Sequence, residues 1–384
     1  MKILQIHNKY RHYGGEDVVV DNEYKLLKGN GCAVSQLFFS NDTVSPVKLF
    51  NNVEAFNKTL KRIDEFQPDV IHVHNLFYSA SPSVLKAAKK RKIPVVMTLH
   101  NYRLVCLNAL FLRDSKVCTK CKNLSFPYYG VKNKCFQDSY LKSTLLASFI
   151  TYNKINKTWD SSIDRFIVLT PFIKSLIVES SLRINQDAIV VKPNSTDDLL
   201  EPKVYRDNKN FLFIGRLSKE KGVEVMIKAF NKMPELKLDI IGNGDLLEYL
   251  QKKASKNIIF HGAKDKGFIK KKLNQAKALI FPSIWYEGLP NTLIEAFSAG
   301  TPVIASNIEN INQIVISGYN GVTFIPNNSD DLVNKTLKFS VENTEEYSLN
   351  ARRQFEETYT HRGNFESLKE MYSNLKMNYE EENN

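Results

Sequence analysis

Short apolar runs alternate with helical stretches along most of the chain, and this alternation restricts the fold more than any other feature. In the first half, strands are predicted at 3–7, 33–39, 70–74, 94–100 and 165–169. In the second half, they are predicted at 210–214, 236–241, 257–260, 278–281 and 301–305. Near-continuously apolar strands that are separated by helices form parallel sheets covered on both faces. We therefore expect an α/β fold with two parallel sheets.

The length and punctuation of the chain predict two domains. A chain of 384 residues is too long for one compact core. The strand pattern restarts after polar punctuation around Pro193, which places the boundary near 186–200. We expect a first domain at 1–190, a second at 191–360 and a helical tail at 361–384. Residues 101–160 interrupt the first pattern, and we interpret them as a looped insertion on the acceptor side.

The positive charge lies in the first half. The net charge is +12, and residues 1–190 hold 27 Lys and Arg against 15 Asp and Glu. Such a surface attracts phosphate groups of nucleic acids, acidic polymers or anionic lipids. The densest basic cluster is Lys86, Lys89, Lys90, Arg91 and Lys92. We expect an anionic membrane as a partner and no nucleic acid.

The N-terminal segment and the apolar runs predict where the chain acts. The first residues form a short strand-like run without the apolar region of a signal peptide. No apolar run reaches the roughly 18 to 20 residues of a membrane-spanning helix. We therefore expect a cytoplasmic protein, peripheral at the inner face of the plasma membrane.

Two carboxylates with seven residues between them flank a predicted helix start. Glu287 precedes the glycine and proline that punctuate the loop, and Glu295 lies within the helix predicted at 292–298. A helix N-terminus presents unpaired N–H groups and a positive dipole end, which suits a phosphate. The pattern fits a nucleotide-sugar site, and the alternative is an amphipathic helix with two solvated glutamates.

Further candidate residues fall at strand ends, where ligands bind in open α/β sheets. Gly15 follows the first strand, and His100 ends the strand that begins at Pro94. In the second half, Arg216 and Lys221 place two cations five residues apart, which suits a diphosphate. Glycines with the spacing of tight turns occur at Gly215, Gly242 and Gly244.

These pieces, in this order, resemble the family-4 retaining glycosyltransferases over nearly the whole chain. The resemblance implies the GT-B fold, with two facing Rossmann-like domains and a C-terminal helix that returns to the first domain. It also implies a nucleoside diphosphate sugar as donor and no divalent metal for catalysis, since fixed cations and the helix end take that role. We expect a lipid-linked or glycan acceptor, as in capsule or lipopolysaccharide biosynthesis.

The resemblance also implies roles for individual residues. Arg216 and Lys221 would bind the donor diphosphate, and Glu287 would contact the hydroxyl groups of the donor sugar. Glu295 would bind the ribose, and His100 would lie at the donor sugar. The remaining donor-binding positions implied are Gly15, Gly215, Gly242, Gly244, Gly288, Leu289, Pro290, Asn291 and Thr292.

Four of the five cysteines cluster within the insertion, namely Cys106, Cys118, Cys121 and Cys135. Cys118 and Cys121 have the spacing of zinc ligands, and a cytosolic chain does not hold stable disulfides. The cluster therefore predicts either a structural zinc site or thiols without a metal. The resemblance gives no help here, because the insertion is outside the family's general pattern.

Two other functions compete with glycosyl transfer. Another enzyme of the GT-B fold, such as a nucleotide-sugar epimerase or a phosphorylase, would share the domain pattern. An epimerase would lack the combination of paired cations and paired glutamates, and a phosphorylase would need a lysine region for its cofactor, which we do not find. The charge and the cysteines also fit a zinc-containing protein that binds nucleic acid, but this function leaves the motifs of the second half unexplained.

Overall fold

The computed structural model describes residues 1–9, 14–41, 46–201 and 207–383 of the chain. The described chain divides into two compact units. The first unit is drawn from Met1–Leu110, Thr119–Asn194 and Arg362–Asn384, and the second from Phe111–Cys118 and Ser195–His361. The chain therefore returns to the first unit with its last helix.

The strands of each unit form one parallel sheet. The strands are β1 (Lys2–Asn8), β2 (Ala33–Phe39), β3 (Val70–Asn75), β4 (Val95–Leu99), β5 (Leu112–Arg113), β6 (Lys116–Val117), β7 (Arg165–Val168), β8 (Ile189–Val191), β9 (Asp207–Ile214), β10 (Lys237–Ile241), β11 (Ile258–Gly262), β12 (Ala276–Phe281), β13 (Val303–Ser306) and β14 (Gly321–Phe324). The first sheet has the order β2-β1-β3-β4-β7-β8, and the second β11-β10-β9-β12-β13-β14. Strand pairing is parallel throughout both sheets, which confirms the predicted α/β fold.

Helices connect these strands. They are α1 (Gly15–Gly29), α2 (Pro46–Phe50), α3 (Val53–Phe66), α4 (Ser83–Lys90), α5 (Tyr128–Lys132), α6 (Tyr140–Ile155), α7 (Pro171–Val178), α8 (Val223–Phe230), α9 (Leu247–Lys253), α10 (Lys266–Gln275), α11 (Asn291–Ser298), α12 (Glu309–Asn312), α13 (Ser329–Val341), α14 (Glu345–Thr358) and α15 (His361–Asn383). Side-chain oxygens of Asn52, Ser139 and Thr170 cap α3, α6 and α7. In the described part of the chain, no helix combines the length and the apolar character that crossing a membrane requires.

The C-terminal helix α15 completes the core of the first unit. Phe365, Leu368 and Tyr372 are buried on this helix, together with Met371 and Leu375. They pack against buried residues of the sheet and of α1, namely Ile3, Leu27, Val70, Val96 and Ile167. The expected return of the C-terminal helix to the first domain is confirmed.

The core of the second unit forms between its sheet and the helices that follow β9. Phe211 and Phe213 of β9 pack with Met226 and Phe230 of α8, and the rings of Phe211 and Phe230 lie 5.8 Å apart at 62°. Phe211 and Phe213 lie on β9, which is an interior strand of the second sheet. This buried layer fixes the ends of β9 and β12, where the predicted site residues begin.

Sequence patterns found ten of the strands and missed β5, β6, β8 and β14. β8 and β14 have three and four residues and lie at the edges of their sheets. The expectation of a looped insertion was wrong for residues 140–155, because α6 is a capped helix that buries Leu146, Phe149 and Ile150. The β5–β6 hairpin of the insertion belongs to the second unit, where Phe111 packs edge-to-face on Tyr286 at 6.4 Å.

Candidate functional site

Glu287 is the centre of a buried hydrogen-bonded cluster in the second unit. It follows β12 in the loop that leads to α11, and it is almost completely buried. Lys221 Nζ lies 2.6 Å from Glu287 Oε1, and the Ser283 hydroxyl donates to the same oxygen. Asn310 Nδ2 donates to the backbone carbonyl of Glu287 at 2.6 Å. The carboxylate is thus held by an ammonium group and a hydroxyl, and its backbone by an amide.

The turn that carries Lys221 depends on a glycine. Lys221 ends a 3-10 turn, and Gly222 follows with φ +65° in the left-handed region. A Cβ at Gly222 would lie 1.9 Å from the carbonyl oxygen of Pro282, which is far inside van der Waals contact. Only glycine allows this turn to lie directly against the end of β12. The approach of these two backbones brings Lys221 to Glu287.

An aromatic wall lies beside Lys221. Its ammonium group is 5.7 Å from the ring centre of Trp285 and 5.9 Å from that of Phe281. The indole N–H of Trp285 is buried and has no hydrogen-bond partner among the described residues. A buried donor without a partner is costly. It therefore suits a ligand oxygen next to Lys221.

Arg216 differs from Lys221 in its environment. Its side chain is 67% exposed, and its guanidinium lies 3.3 Å from Glu220 Oε1. The Ser218 hydroxyl donates to the same carboxylate oxygen at 2.6 Å. Arg216 is therefore positioned at the rim of the site, where an exposed guanidinium exchanges partners at little cost.

The glycine turns at the strand ends are tightly packed against each other. Gly242 has φ +136°, and a Cβ there would lie 1.9 Å from the carbonyl oxygen of Gly215. A Cβ at Gly244 would lie 2.4 Å from the carbonyl oxygen of Leu217. The amide of Gly215 donates to the carbonyl of Ile241 at 3.0 Å. Side chains larger than hydrogen would separate the ends of β9 and β10.

The N-terminus of α11 is open, as the motif predicts. The helix starts at Asn291 after Pro290, no side chain caps it, and its first turn has no acidic residue. Leu289 and Pro290 are buried, whereas Gly288, Asn291 and Thr292 are half-buried. An uncapped helix end with a positive dipole is suited to an anion.

Glu295 lies in the second turn of α11 and is half-buried. Burial raises the pKa of its carboxyl group above the ordinary value. The charge of Lys266 opposes this shift, and that of Asp197 adds to it. Glu287 and Glu295 thus have different environments, since Glu287 has an ammonium partner at 2.6 Å.

In the first unit, His100 follows β4 and contacts a second histidine. His100 Nε2 lies 3.1 Å from Nδ1 of His74 on β3, and the two rings stack at 5.4 Å. His74 Nε2 lies 3.2 Å from Oε1 of Glu23, which is buried on α1. The sequence interpretation singled out His100 alone. A His-x-His pattern on a strand, which places both rings on one face, was the available signal.

The contacts around His74 fix which nitrogens carry protons. Burial lowers the pKa of His74 to about 4, so its ring is neutral at neutral pH and carries one proton. That proton lies on Nε2, because a lone pair there would face the carboxylate oxygen of Glu23. Nδ1 of His74 therefore accepts the N–H of His100 Nε2. His100, whose pKa burial also lowers, keeps its lone pair on Nδ1.

Glu23, His72 and His74 place three metal-ligating atoms within 4.8 Å of one another. Two of these ligand atoms already have partners, since the hydroxyl of Tyr372 lies 2.7 Å from His72 Nδ1 and the side-chain amide of Gln5 donates to Glu23 Oε1 at 3.1 Å. The ammonium of Lys192 lies 3.8 Å from Glu23 Oε2 and supplies positive charge where a metal would sit. We interpret the cluster as a hydrogen-bonded network and not as a metal centre.

The turn before α1 is held by two further contacts. Asp17 Oδ2 accepts the amide of Gly14 at 2.9 Å, and Asp17 Oδ1 lies 3.0 Å from His7 Nε2. Gly15 is exposed, and a Cβ there would meet no atom of the described residues within 4 Å. The backbone at Gly15 is therefore open, which leaves room for the phosphate contact expected there.

A small pocket of about 40 Å³ opens beside His100 within the first unit. It is lined mainly by apolar side chains, including Leu76, Met97, Phe149 and Trp159. Arg103 is the cation in its lining, and its guanidinium lies 4.9 Å from the ring centre of Phe77. The pocket is thus mostly apolar with a few polar groups, but it is far smaller than the roughly 300–1,000 Å³ of a small-molecule site.

The four cysteines of the insertion do not form a group of three or more ligand atoms within 4.8 Å in the described chain. Cys106 and Cys121 are buried, whereas Cys118 and Cys135 are half-buried. The sulfur of Cys106 lies 3.0 Å from Asn108 Oδ1. The structure therefore does not bring the four thiols together, and zinc binding stays a prediction.

Two sequence families match consecutive parts of the chain. The family described as glycosyltransferase family 4 matches residues 32–198, and the family described as glycosyl transferases group 1 matches residues 194–358. The chain belongs to glycosyltransferase family 4. The matches support neither an epimerase nor a nucleic-acid-binding protein.

Individual relatives agree with this family assignment. An uncharacterized glycosyltransferase of Methanocaldococcus jannaschii is 26% identical over 357 residues, which are 88% of each chain. The lipopolysaccharide 1,6-galactosyltransferase of Salmonella typhimurium is 28% identical over 182 residues, which are 44% of this chain and 50% of that protein. Matches to two other M. jannaschii glycosyltransferases span 35% and 66% of the length of those proteins.

Solved structures show the GT-B fold of this glycosyltransferase. The Anabaena protein HepE, solved with UDP and glucose, superposes with a TM-score of 0.65 at 15% identity. The superposition covers 96% of this chain and 99% of HepE. The likeness extends over both units and establishes the fold.

Proposed function

We propose that the chain is a retaining hexosyltransferase that moves a sugar from a nucleoside diphosphate donor to a lipid-linked or polysaccharide acceptor. The observation that carries the proposal is the 2.6 Å contact between Lys221 Nζ and Glu287 Oε1, next to the uncapped N-terminus of α11. A cation and an open helix end complement phosphates, and a buried carboxylate complements sugar hydroxyl groups.

Each group has a role in donor binding. Lys221 and Arg216 bind the diphosphate, which replaces the carboxylates that they contact in the structure. Glu287 then accepts hydroxyl groups of the sugar, and Glu295 those of the ribose. The indole N–H of Trp285 supplies one further donor beside Lys221. Charge-assisted hydrogen bonds of this kind contribute about 1.5–3 kcal/mol each.

The proposed reaction is a displacement on one face of the donor sugar. The bond between the anomeric carbon and the diphosphate oxygen breaks, while Lys221, Arg216 and the end of α11 stabilise the negative charge on the leaving group. The acceptor hydroxyl forms the new bond on the same face, and its proton passes to the departing phosphate oxygen. No nucleophile is evident for a covalent intermediate. The fixed cations take the place of a divalent metal.

We assign roles in substrate binding to two residues of the first unit. His100 contributes a ring with its acceptor nitrogen, Nδ1, available to a sugar hydroxyl. Gly15 offers an open backbone at the start of α1.

Relatives suggest which substrates to test first. HepE is solved with UDP and glucose, and the Salmonella relative is a lipopolysaccharide galactosyltransferase. We therefore propose a uridine diphosphate hexose as the first donor to test. The charge of the first half supports an acceptor at the inner face of the plasma membrane.

Binding of nucleotides tests the donor site directly. Thermal shifts with UDP, GDP and ADP, and with their sugars, should show stabilisation by one nucleotide. Glu287→Gln should keep nucleotide binding and lose transfer and donor hydrolysis. Glu309→Gln, in which the altered carboxylate contacts Tyr286, is the control that keeps activity. Full activity in Glu287→Gln, or stabilisation by none of the nucleotides, would refute the proposal.

A further inference from the structure

The helix α6 of the insertion has apolar residues on its exposed face. Its inner face buries Leu146, Phe149 and Ile150, yet Leu141 and Ile155 are 80% and 73% exposed. At 100° per residue, Tyr140, Leu141, Tyr152 and Ile155 fall within an arc of about 120°. The other exposed residues of this arc are Thr144 and Ser148, so the arc carries no charge.

The residues before α6 add exposed aromatic rings. Phe126, Tyr128 and Tyr129 are exposed in and next to α5. This segment is fixed to α6, because Thr151 Oγ1 donates to the carbonyl of Ser125 at 3.1 Å. Together these groups form what we call the insertion surface, which consists of Phe126, Tyr128, Tyr129, Tyr140, Leu141, Tyr152 and Ile155. A surface that exposes this many large apolar side chains is typical of a binding site.

Lysines surround the insertion surface. Residues 119–157 contain seven lysines and a single acidic residue, Asp138. Lys120, Lys132, Lys142 and Lys157 are exposed, and Lys134 lies 4.8 Å from the ring centre of Tyr140. Protein interfaces are depleted in lysine, whereas lysine and tyrosine are both favoured where a protein meets a lipid headgroup layer. The charge is therefore complementary to an anionic bilayer.

We propose that the insertion surface binds an anionic membrane, with α6 lying in the headgroup layer. The apolar arc of α6 enters the boundary of the acyl chains, and the lysines contact lipid phosphates. This proposal names the surface by which the chain meets a membrane. It does not depend on glycosyl transfer, since it concerns none of the donor-site residues.

The basic cluster on α4 provides a matched comparison. Lys86, Lys89 and Lys90 are exposed, but no large exposed apolar side chain accompanies them on α4. Arg91 is held by Asp64 through two contacts of 2.7 and 2.8 Å. This cluster offers charge without an apolar anchor. We therefore expect it to contribute less to membrane binding than the insertion surface.

Vesicle sedimentation with the full chain tests the proposal without any nucleotide. The probes are phosphatidylcholine vesicles, with and without phosphatidylglycerol. The double variant Leu141→Ser/Ile155→Ser should bind the anionic vesicles at least about tenfold more weakly. Because both side chains are exposed, the variant should fold, and a retained nucleotide-induced thermal shift checks this. Val341→Ser/Leu349→Ser, which alters two exposed residues of the second unit, should bind as the unaltered chain does.

Charge variants test the contribution of the lysines, and analytical sedimentation of the chain alone shows whether it forms a dimer. Lys120→Gln/Lys142→Gln/Lys157→Gln should weaken binding more than Lys86→Gln/Lys89→Gln/Lys90→Gln. The proposal is overturned if the serine double variant at α6 binds vesicles normally, or if only the α4 variant loses binding. It is also overturned if the chain ignores vesicles and forms a dimer that the α6 variant abolishes. None of these results depends on whether the chain transfers sugar.

Discussion

Acidification should destabilise the first unit through His74. The ring is buried, and burial lowers its pKa from 6.5 to about 4. Between these two values the unfolded chain takes up a proton at His74, and the folded chain does not. Stability is therefore complete above pH 6.5 and falls as the pH drops toward 4. The effect is tested by lowering the pH from about 7.5 to about 5.

The size of the effect follows from the shift. One pKa unit corresponds to 1.36 kcal/mol, so the full shift of His74 amounts to roughly 3 kcal/mol. At pH 5 the folded ring is still mostly neutral, and the loss from this one group is about 2 kcal/mol. Glu23 has a pKa well below its ordinary value, so its own contribution is lost only at lower pH.

The assay compares the pH dependence of unfolding in the unaltered chain and in His74→Asn. Trp159 is buried in the first unit, and Trp285 is half-buried in the second. The chain has two tryptophans, so a Trp285→Phe background makes fluorescence report on the first unit. The free energy of urea unfolding should fall by about 2 kcal/mol more in the chain that retains His74. His7 and Lys192 are present in both proteins, so the difference between the two proteins measures the part of the pH dependence that requires His74.

A second histidine variant controls for the effect that replacing any histidine has on the pH dependence of stability. His361→Asn alters a partly exposed histidine assigned to the second unit, and it should keep the full pH dependence. If His74→Asn and the unaltered chain lose the same free energy between the two pH values, then burial does not hold the ring neutral. That result would also remove the basis for placing the proton of His74 on Nε2.

Three further variants test single contacts. Lys221→Met should weaken nucleoside diphosphate binding about 10- to 150-fold in calorimetry, because it removes one charge-assisted contact, while Lys219→Met on the same turn should change it little. Gly222→Ala should destabilise the second unit by more than Gly318→Ala in urea unfolding; both residues have positive φ, but only the first would place Cβ 1.9 Å from a carbonyl oxygen. Tyr372→Phe should cost about 1 kcal/mol of the first unit's stability, because it removes a buried hydroxyl beside a histidine ring. Equal effects within either pair, or an unchanged Tyr372→Phe, would contradict the corresponding contact.

Local patterns in the sequence predicted most of the fold. Apolar runs and glycine or proline punctuation marked the long strands, because a strand buried on both faces consists of consecutive apolar residues. The start of α11 was predicted at Thr292, one residue after its observed start at Asn291. The edge strands β8 and β14 were missed although β7 and β13 are also only four residues long. The two missed strands are only partly buried, whereas β7 and β13 are almost completely buried.

The candidate site was predictable only in part. The motif identified Glu287 and Lys221 individually, but their 2.6 Å contact depends on Gly222 lying against Pro282, which no local pattern encodes. The network around Glu23 was missed because its members come from β3, α1 and α15. Its hydrogen bond between Tyr372 and His72 spans 300 residues. Contacts of this kind are set by tertiary packing alone.

The return of α15 to the first unit has a consequence for biosynthesis. The ribosome makes β1 to β4 well before the helix that covers them. At about 5–20 residues per second, the 300 residues between His72 and Tyr372 take roughly 15–60 s to add. During that interval the sheet lacks the side chains that bury Ile3, Val70 and Val96. The second unit is synthesised entirely within this delay, so it can finish folding before the first.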